Sequence, residues 1–448
     1  MKYDSKTADA YESQNMEQVH QSRHQEAAWR QPPDGAEGAL AGLTVLDLGS
    51  ALGNYCTKLF ADLGANVILV EPVDGTQSRT MTPHLGSHED QDSSLYFQYN
   101  NTNKRSIALD LDTAEGVVVF RQLVASASLI VESDAPGAME ARGLGYATLK
   151  AINPGIVLTS ITPFGQTGPY AGWKGEDIVA MALGGMMSLG GYFDSAPIVP
   201  FGYQGIAAAN LFAAVASMAA IYEAEASGEG QHIDVSMQEC IVMGMENAVQ
   251  FFDLEGTVRK RSAGQQREAG SGVFRCKDGF IYLMAAGVGA NRFWGHTVEW
   301  LAEEGIEGVE ALRDPRWDNR DYLSTAEAKD TFARVFSGFA LRHTKAELYQ
   351  RGQARRIPIA PVCTTADILA SRQLREREFF VPVAPDMFPG TALQAGGQFP
   401  GAPYKFGATP WSLKRLAPTL GQHTREILSG LCIAASAQLE LFKSGVVQ

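Results

Sequence analysis

Short apolar segments that alternate with stretches of helical periodicity constrain the fold of this chain more than any other feature. Leu43–Leu48 (LTVLDL) is a run of the kind that buried parallel strands use, and it is followed by a glycine. Tyr55–Leu63 then has the apolar spacing of a helix, and Asn66–Val70 (NVILV) is a second strand that runs into Glu71. These segments predict a βαβ unit, in which a helix joins two parallel strands.

Further segments continue this alternation through the first half of the chain. They are predicted strands at Ser106–Leu109, Leu129–Glu132 and Gly155–Ser160, and a predicted helix at Ala114–Ala125. The pattern predicts an α/β fold with a doubly wound parallel sheet in a large domain. Gly49 and Gly53 do not complete a GxGxxG pattern, so a dinucleotide-binding fingerprint is absent.

The sequence changes character after the predicted strand His232–Ser236, which indicates a second domain. The predicted organisation is a polar N-terminal arm (1–40), the first part of the large domain (41–237), a helix and connector (238–270), a small α+β domain (271–345), and a connector that returns to the large domain (346–448). The small domain is expected to contain a hairpin formed by Gly272–Arg275 and Gly279–Met284.

Charge and composition exclude several classes of function. The formal net charge is -13 at pH 7, so nucleic acid and anionic membrane surfaces would repel the chain. We expect no membrane span, because no apolar run approaches the ~20 residues required, and the first residues lack the apolar core of a secretory signal. Five cysteines without CxxC spacing predict reduced thiols in a cytoplasmic protein. Histidines such as His84 and His88 show no metal-ligand spacing, so no metal is expected.

Motifs spread over residues 40–430 carry a resemblance to a known family. They are LTVLDLGS, NYCTKLFADLGANVILVE, YNNTNKRSIALDL, PFGQTGPYAGWKGEDIVAMALGG, IPIAPVCTTADIL, GAPYKFGATP and LGQHTREIL. In these segments the chain resembles the family III CoA-transferases, the group of formyl-CoA and carnitine-CoA transferases. The resemblance implies acyl-CoA substrates, no covalently bound cofactor, and a dimer of two interlocked subunits.

The family's nucleophile is an aspartate at the start of the long apolar helix that follows a proline-rich loop. In register with Gly228–Gln231 (GEGQ), that position is Ala207, and Pro197–Leu211 contains no Asp, Glu, Ser, Thr or Cys. A carboxylate is needed there because it attacks the acyl-CoA thioester and carries the acyl group and then CoA. An insertion would shift the register, yet no carboxylate lies between Asp194 and Glu223. The resemblance therefore implies a non-catalytic subunit that pairs with a catalytically competent paralogue.

Three alternatives to this interpretation remain open. The first is an active homodimeric transferase that uses Asp177, a position where the family usually has an acidic residue near the active site. Asp177 could instead be the N-cap of the helix Ile178–Leu183. The second is an α-methylacyl-CoA racemase or isomerase, although the usual histidine is missing, and the third is a pure scaffold subunit. By analogy with two-subunit members of the family, the donor would be succinyl-CoA and the acceptor an aromatic succinate.

The residues that the resemblance assigns to CoA binding are kept only in part. Lys104 and Arg105 are kept, as is the backbone run Leu109, Asp110 and Leu111, although the two cations could equally be a solvated pair.

The turn that contacts the nucleotide in the family is altered. In this chain the turn is Glu132–Gly137. Asp134 lies within it, and its carboxylate would repel a pyrophosphate. The phosphate-binding arginine falls at Ala141, and Arg142 follows it. We therefore expect this chain to bind CoA weakly or not at all.

A glycine-rich segment lies where the family has a mobile loop over the reaction intermediate. Gly270, Ser271 and Gly272 could supply backbone amides to an oxyanion, or could form a plain linker turn. The preceding basic residues Arg259, Lys260, Arg261 and Arg267 could meet an acidic substrate, or could form a solvated connector.

Overall fold

The computed structural model describes residues 38–85, 91–286, 291–383 and 397–448. Its strands are β1 (Thr44–Asp47), β2 (Asn66–Glu71), β3 (Arg105–Ala108), β4 (Leu129–Glu132), β5 (Val157–Thr162), β6 (His232–Ser236), β7 (Ser271–Cys276), β8 (Gly279–Met284), β9 (Ile359–Pro361), β10 (Phe380–Val383) and β11 (Gly397–Pro400). The predicted N-terminal arm lies almost wholly outside the described residues.

The α-helices follow the same order along the chain. They are α1 (Ala51–Asp62), α2 (Leu95–Asn100), α3 (Ala114–Val124), α4 (Ala138–Ala141), α5 (Tyr146–Ile152), α6 (Asp177–Leu183), α7 (Met186–Leu189), α8 (Gln204–Ser227), α9 (Met237–Met243), α10 (Glu246–Glu255), α11 (Asn291–Glu303), α12 (Arg320–Leu323), α13 (Ala326–Ala340), α14 (Lys345–Ala354), α15 (Thr365–Leu369), α16 (Arg372–Glu376), α17 (Thr424–Gly430) and α18 (Ala435–Lys443).

The chain forms two compact units. Unit 1 contains the described residues up to Gly184 together with Phe201–Gly244 and Glu378–Gln448, and unit 2 contains Gly185–Pro200 and Met245–Arg377. The sequence-based boundary at residue 345 differs from this division, because β9 pairs with β8 and so belongs to unit 2.

Unit 1 is built on a six-stranded parallel sheet with the strand order β3-β2-β1-β4-β5-β6. This order is that of doubly wound dinucleotide-binding folds, so the predicted fold class is confirmed. The residues of β4 and β5 are buried throughout, as expected for strands covered by helices on both faces. The C-terminal residues return to the sheet, where Val447 bridges to Leu109 just beyond β3.

Helix α8 is the longest helix of unit 1 in the described part of the chain. Its 24 residues are rich in alanine, and it ends at Gly228, whose φ of 79° is the left-handed conformation that terminates helices. By length and composition it could cross a membrane, so the expectation that no apolar run reaches that length is wrong. Within unit 1, 44% of its apolar window is buried, mainly against α1, α9 and β5.

Unit 2 contains the antiparallel sheet β7-β8-β9 and the helices around it. The predicted hairpin is present, since β7 pairs with β8 from Ser271↔Met284 to Cys276↔Gly279. Its core is aromatic, and Trp300, Phe332 and Phe336 are at most 1% exposed. Burial of such large side chains is the main stabilising contribution to a unit of this size.

Candidate functional site

The candidate site is a crevice at the carboxyl ends of β1 and β4, where the strand order of the sheet changes direction. In open α/β sheets this topological switch point is where ligands bind. Ser50 follows β1 and Ser133 follows β4, and their hydroxyl groups contact each other. This contact joins the two loops, and Ser50 also donates to the carbonyl of Leu52 at 2.6 Å within its own loop.

A kink at the start of α1 shapes the loop after β1. Leu52 and Gly53 have non-helical backbone angles, and Gly53 has a φ of 120°. A Cβ atom at Gly53 would lie 3.2 Å from Val131 Cγ1, in addition to the strained backbone angle. The regular part of α1 therefore begins after Gly53.

Asn210, on the second turn of α8, holds this kink in place. Its Oδ1 accepts hydrogen bonds from the amides of Gly53 and Cys56, each at 2.9 Å. Its Nδ2 donates to the carbonyls of Ala51 at 3.2 Å and Ile206 at 2.8 Å. Asn210 is 0% exposed and all four of its main hydrogen-bonding positions are used. We did not identify this residue from the sequence, because its partners come from a distant loop.

A buried charge network lies behind the loop. Lys104 is 0% exposed, and its ammonium group donates to Asp47 Oδ2, the Asn54 carbonyl and Asn101 Oδ1, each at 2.8 Å. Burial lowers the pKa of Lys104, while the charge of Asp47 opposes that shift. Asp47 also accepts from the Thr57 hydroxyl at 2.6 Å. All three donors of Lys104 are occupied inside the fold, so it is not a solvated cation.

The start of α8 receives a hydrogen-bond acceptor from another helix. Asp177 Oδ1 accepts from the amide of Ile206 at 2.8 Å, and the carboxylate also takes the amide of Gly205. Burial raises the pKa of Asp177, and these two hydrogen bonds oppose the rise. The interpretation of Asp177 as the cap of its own helix is wrong, since Glu176 is the N-cap residue of α6. Ala207 is the next residue of α8 and presents only a methyl group.

Two tyrosines lie beside this capped helix start. The rings of Tyr96 and Tyr203 meet edge to face, with centroids 5.4 Å apart. Burial raises the pKa of Tyr96 well above its usual range, and the nearby Tyr203 and Asp177 add to the shift. The Tyr96 hydroxyl therefore stays protonated and can donate a hydrogen bond at the crevice.

A groove of about 720 Å³ opens beyond the carboxyl end of β3, and Leu111 and Arg142 line it. The Arg142 guanidinium donates to Asp112 at 2.8 Å and to Asp134 at 2.5 Å. These hydrogen bonds raise the pKa of Arg142, and the bond to Asp112 makes the largest contribution. Arg121 also lines the groove, with one amino group donated to the Gly143 carbonyl at 2.9 Å.

The other predicted CoA-binding residues are separated by the fold. Leu109 is 1% exposed, and the amide of Asp110 donates to the Val446 carbonyl at 2.9 Å. Arg105 is the first residue of β3, so it lies at the amino edge of the parallel sheet, away from the crevice.

Glu132, the last residue of β4, is a buried carboxyl group that we did not single out from the sequence. Its Oε2 accepts from the Asp134 amide at 2.6 Å, and it is 4% exposed. Burial raises the pKa of Glu132 to about 7, although hydrogen bonds from Ser160 and from the Asp134 amide oppose the shift. Ser160 also lies 2.8 Å from His232 Nε2, so a polar chain links this carboxyl group to an exposed histidine.

In the glycine-rich segment of unit 2, Ser271 and Gly272 begin β7 and the buried Gly270 lies in the turn before it, so the segment is not an exposed loop. The amide of Gly270 donates to Gln266 Oε1 at 2.8 Å, and that of Ser271 to the Glu268 carbonyl at 3.0 Å. Gly272 is buried within β7. Two of the three amides proposed for an oxyanion are thus already occupied, and the oxyanion role stays a prediction.

Arg261, in the basic connector, is bound to main-chain carbonyls of unit 2. It donates to the carbonyls of Tyr192 at 2.7 Å, Ser195 at 2.7 Å and Ser188 at 3.3 Å. Its guanidinium therefore fastens the segment Gly185–Pro200 and is not free for an acidic substrate.

Among the described residues, no cluster of three or more metal-ligating side chains occurs. His88 lies outside the described residues.

The doubly wound sheet and its switch-point crevice define an α/β protein of the kind that binds a nucleotide-bearing ligand at the carboxyl edge. A model of CoA-transferase family III matches residues 40–424. The chain belongs to this family, and CoA-transferase activity with acyl-CoA substrates follows as its general function.

Similar proteins support the same assignment. The chain is 40% identical to the succinyl-CoA:(R)-benzylsuccinate CoA-transferase subunit BbsE of Thauera aromatica over 86% of this chain and 92% of that protein. It is 28% identical to the beta subunit of the succinyl-CoA–L-malate CoA-transferase of Chloroflexus aurantiacus, covering 88% of this chain and 95% of that subunit. A crystal structure of a CAIB/BAIF family protein from Brucella suis aligns with a TM-score of 0.75 and 28% identity, over 88% of this chain and all of that one.

Proposed function

We propose that this chain is the non-catalytic subunit of a hetero-oligomeric family III CoA-transferase. The observation that carries the proposal is the start of α8, where Ala207 offers a methyl group. The carboxylate that reaches this helix start, that of Asp177, is engaged by the amides of Gly205 and Ile206. A methyl group cannot attack a thioester, and a carboxylate that caps a helix is oriented for that role instead.

The contacts in the groove beyond β3 favour the proposal that this chain binds CoA only weakly. Arg142 is already held by Asp112 and Asp134. A phosphate group would have to displace one of these carboxylates or accept repulsion from both. The two carboxylates thus neutralise Arg142, the cation that would otherwise bind the phosphates of the nucleotide.

The partner would be a paralogue that carries the nucleophilic aspartate. Two of the similar proteins are themselves subunits of CoA-transferases. In unit 1, α8 exposes Leu211, Phe212, Val215 and Tyr222, with Val215 71% and Tyr222 74% exposed. An apolar helix face of this kind favours coverage by another subunit. We propose succinyl-CoA as donor and (R)-benzylsuccinate or a related aromatic succinate as acceptor, in line with the relative from Thauera.

The test compares the chain alone with the chain mixed with such a paralogue. Transfer of CoA from succinyl-CoA to benzylsuccinate should be seen only in the mixture. Ala207→Asp in the lone chain should not restore activity, because the Arg142 region is altered as well. Robust turnover by the unmodified lone chain would overturn the proposal.

The second candidate is an active homodimer that uses Asp177, favoured by its buried carboxylate with a raised pKa at the helix start. Asp177→Asn separates the two candidates, since an amide still accepts a hydrogen bond but is not a nucleophile. The homodimer loses its turnover with this variant, whereas a complex with a catalytic partner keeps most of its rate. For the racemase alternative, the described hydrogen-bond partners of Asp177 are backbone amides and not a histidine.

A further inference from the structure

A second cavity, of about 410 Å³, opens at the opposite edge of the sheet in unit 1. Thr44, Asn66 and Arg105 line it, and each is the first residue of a strand. Because β1, β2 and β3 are parallel, their first residues share the amino edge of the sheet. The cavity is therefore separate from the switch-point crevice at the carboxyl edge.

Three cations line this cavity, Arg105, Lys414 and Arg415. Arg105 donates to Asn66 Oδ1 at 2.7 Å and to Glu426 Oε1 at 2.8 Å. The side chains of Lys414 and Arg415 form no ion pair with any residue that the structure describes.

Asn103 fixes the backbone that carries the two unpaired cations. Its Oδ1 accepts from the amides of Lys414 at 2.8 Å and Arg415 at 3.1 Å, and its own amide donates to the Arg415 carbonyl at 3.0 Å. Its Nδ2 donates to the Ser412 carbonyl at 3.0 Å and to Asp62 at 2.8 Å. Asn103 adopts a left-handed φ of 64° to make these contacts. The Asn103 side chain thus fixes the backbone from which both cations extend.

We propose that this cavity binds a phosphate-bearing molecule of nucleotide size through Arg105, Lys414 and Arg415. Guanidinium groups match the geometry of phosphate oxygens, and a lysine adds a point charge. A volume of about 410 Å³ falls within the range of small-ligand pockets. The site is independent of the proposed CoA-transferase role, because it shares none of the crevice residues.

The experiment measures binding of ADP and of pyrophosphate to the full chain by calorimetry at low and at physiological salt. Lys414→Ala with Arg415→Ala should weaken ADP binding about tenfold or more, as expected for losing hydrogen bonds between charged groups. Asn103→Gly keeps the left-handed backbone and both cations but removes the clamp, and it should weaken binding as well. ADP should bind more tightly than pyrophosphate, because the cavity has room for more than the phosphates. Pyrophosphate binding without ADP selectivity would refute a ligand of nucleotide size.

Two controls keep the test specific. Lys174→Ala with Lys260→Ala removes the same charge elsewhere and should leave binding unchanged. Arg142→Ala, in the groove beyond β3, should also leave it unchanged. The proposal is overturned if neither ligand binds at millimolar concentration, if the Lys414/Arg415 double variant binds like the wild type, or if Arg142→Ala alone abolishes binding.

Discussion

Replacing Asn210 with alanine should open the crevice loop. The substitution leaves the amides of Gly53 and Cys56 without their acceptor, in a region where Asn210 is fully buried. A buried donor that loses its partner costs about 1–3 kcal/mol, so two of them cost roughly 2–6 kcal/mol. Water that enters the space would bring the cost towards the lower end. At about 2 kcal/mol, the equilibrium for local opening shifts roughly 30-fold.

The thiol of Cys56 reports on this opening. It is 0% exposed, and burial raises its pKa well above the usual range, so the closed form does not react. With the exposed Cys363 and Cys432 replaced by serine, iodoacetamide labelling of Cys56 can be followed by mass spectrometry. Asn210→Ala should speed this labelling roughly 30-fold or more.

A matched control uses another asparagine bridge in unit 1, that of the half-buried Asn153. Asn153 donates to the carbonyls of Val124 at 3.1 Å and Ala127 at 2.7 Å, away from the crevice loop. Asn153→Ala should destabilise its own region without changing Cys56 labelling. If Asn210→Ala leaves the Cys56 rate at the wild-type value, the asparagine does not hold the loop and our account of the crevice is wrong.

Two further predictions concern buried charges. The pKa of Glu132 is raised to about 7 from 4.5, so the folded state binds the proton more tightly than the unfolded state between these values. Stability should therefore fall by about 3 kcal/mol as the pH rises through that window and level off above it; Glu132→Gln should remove this slope in thermal melts recorded from pH 4.5 to 8. Lys104→Met leaves Asp47 as an uncompensated buried charge and should cost about 3–5 kcal/mol in urea unfolding. Asp47→Asn combined with Lys104→Met should recover part of that loss, and a double variant no more stable than the single one would argue against the ion pair.

The parallel sheet could be predicted because its signals are local. The sequence predicts a strand at Asn66–Val70, and β2 spans Asn66–Glu71, since an unbroken apolar run specifies a buried strand by itself. The extent of the second unit could not be predicted in the same way. Strand β9 has three residues, and only its pairing with β8 places it in unit 2.

Neighbouring residues of the predicted site have different environments for the same reason. Lys104 and Arg105 are adjacent, yet Lys104 is fully buried against Asp47, and Arg105 pairs with the exposed Glu426. Arg105 begins β3, whereas Lys104 precedes the strand, so the two adjacent cations have different surroundings. Two consecutive basic residues in a sequence motif therefore cannot both be assigned to one ligand until the register of the sheet is known.

The start of α8 explains how a chain of this family could lose a nucleophile and keep its fold. The first amides of a helix need acceptors, and a negative charge there is favoured by the helix dipole. In this chain the carboxylate of Asp177 meets both needs for Gly205 and Ile206, so the methyl group of Ala207 leaves no amide of that pair unsatisfied. The start of α8 is therefore stabilised by a carboxylate from α6, so an alanine at position 207 carries little structural cost.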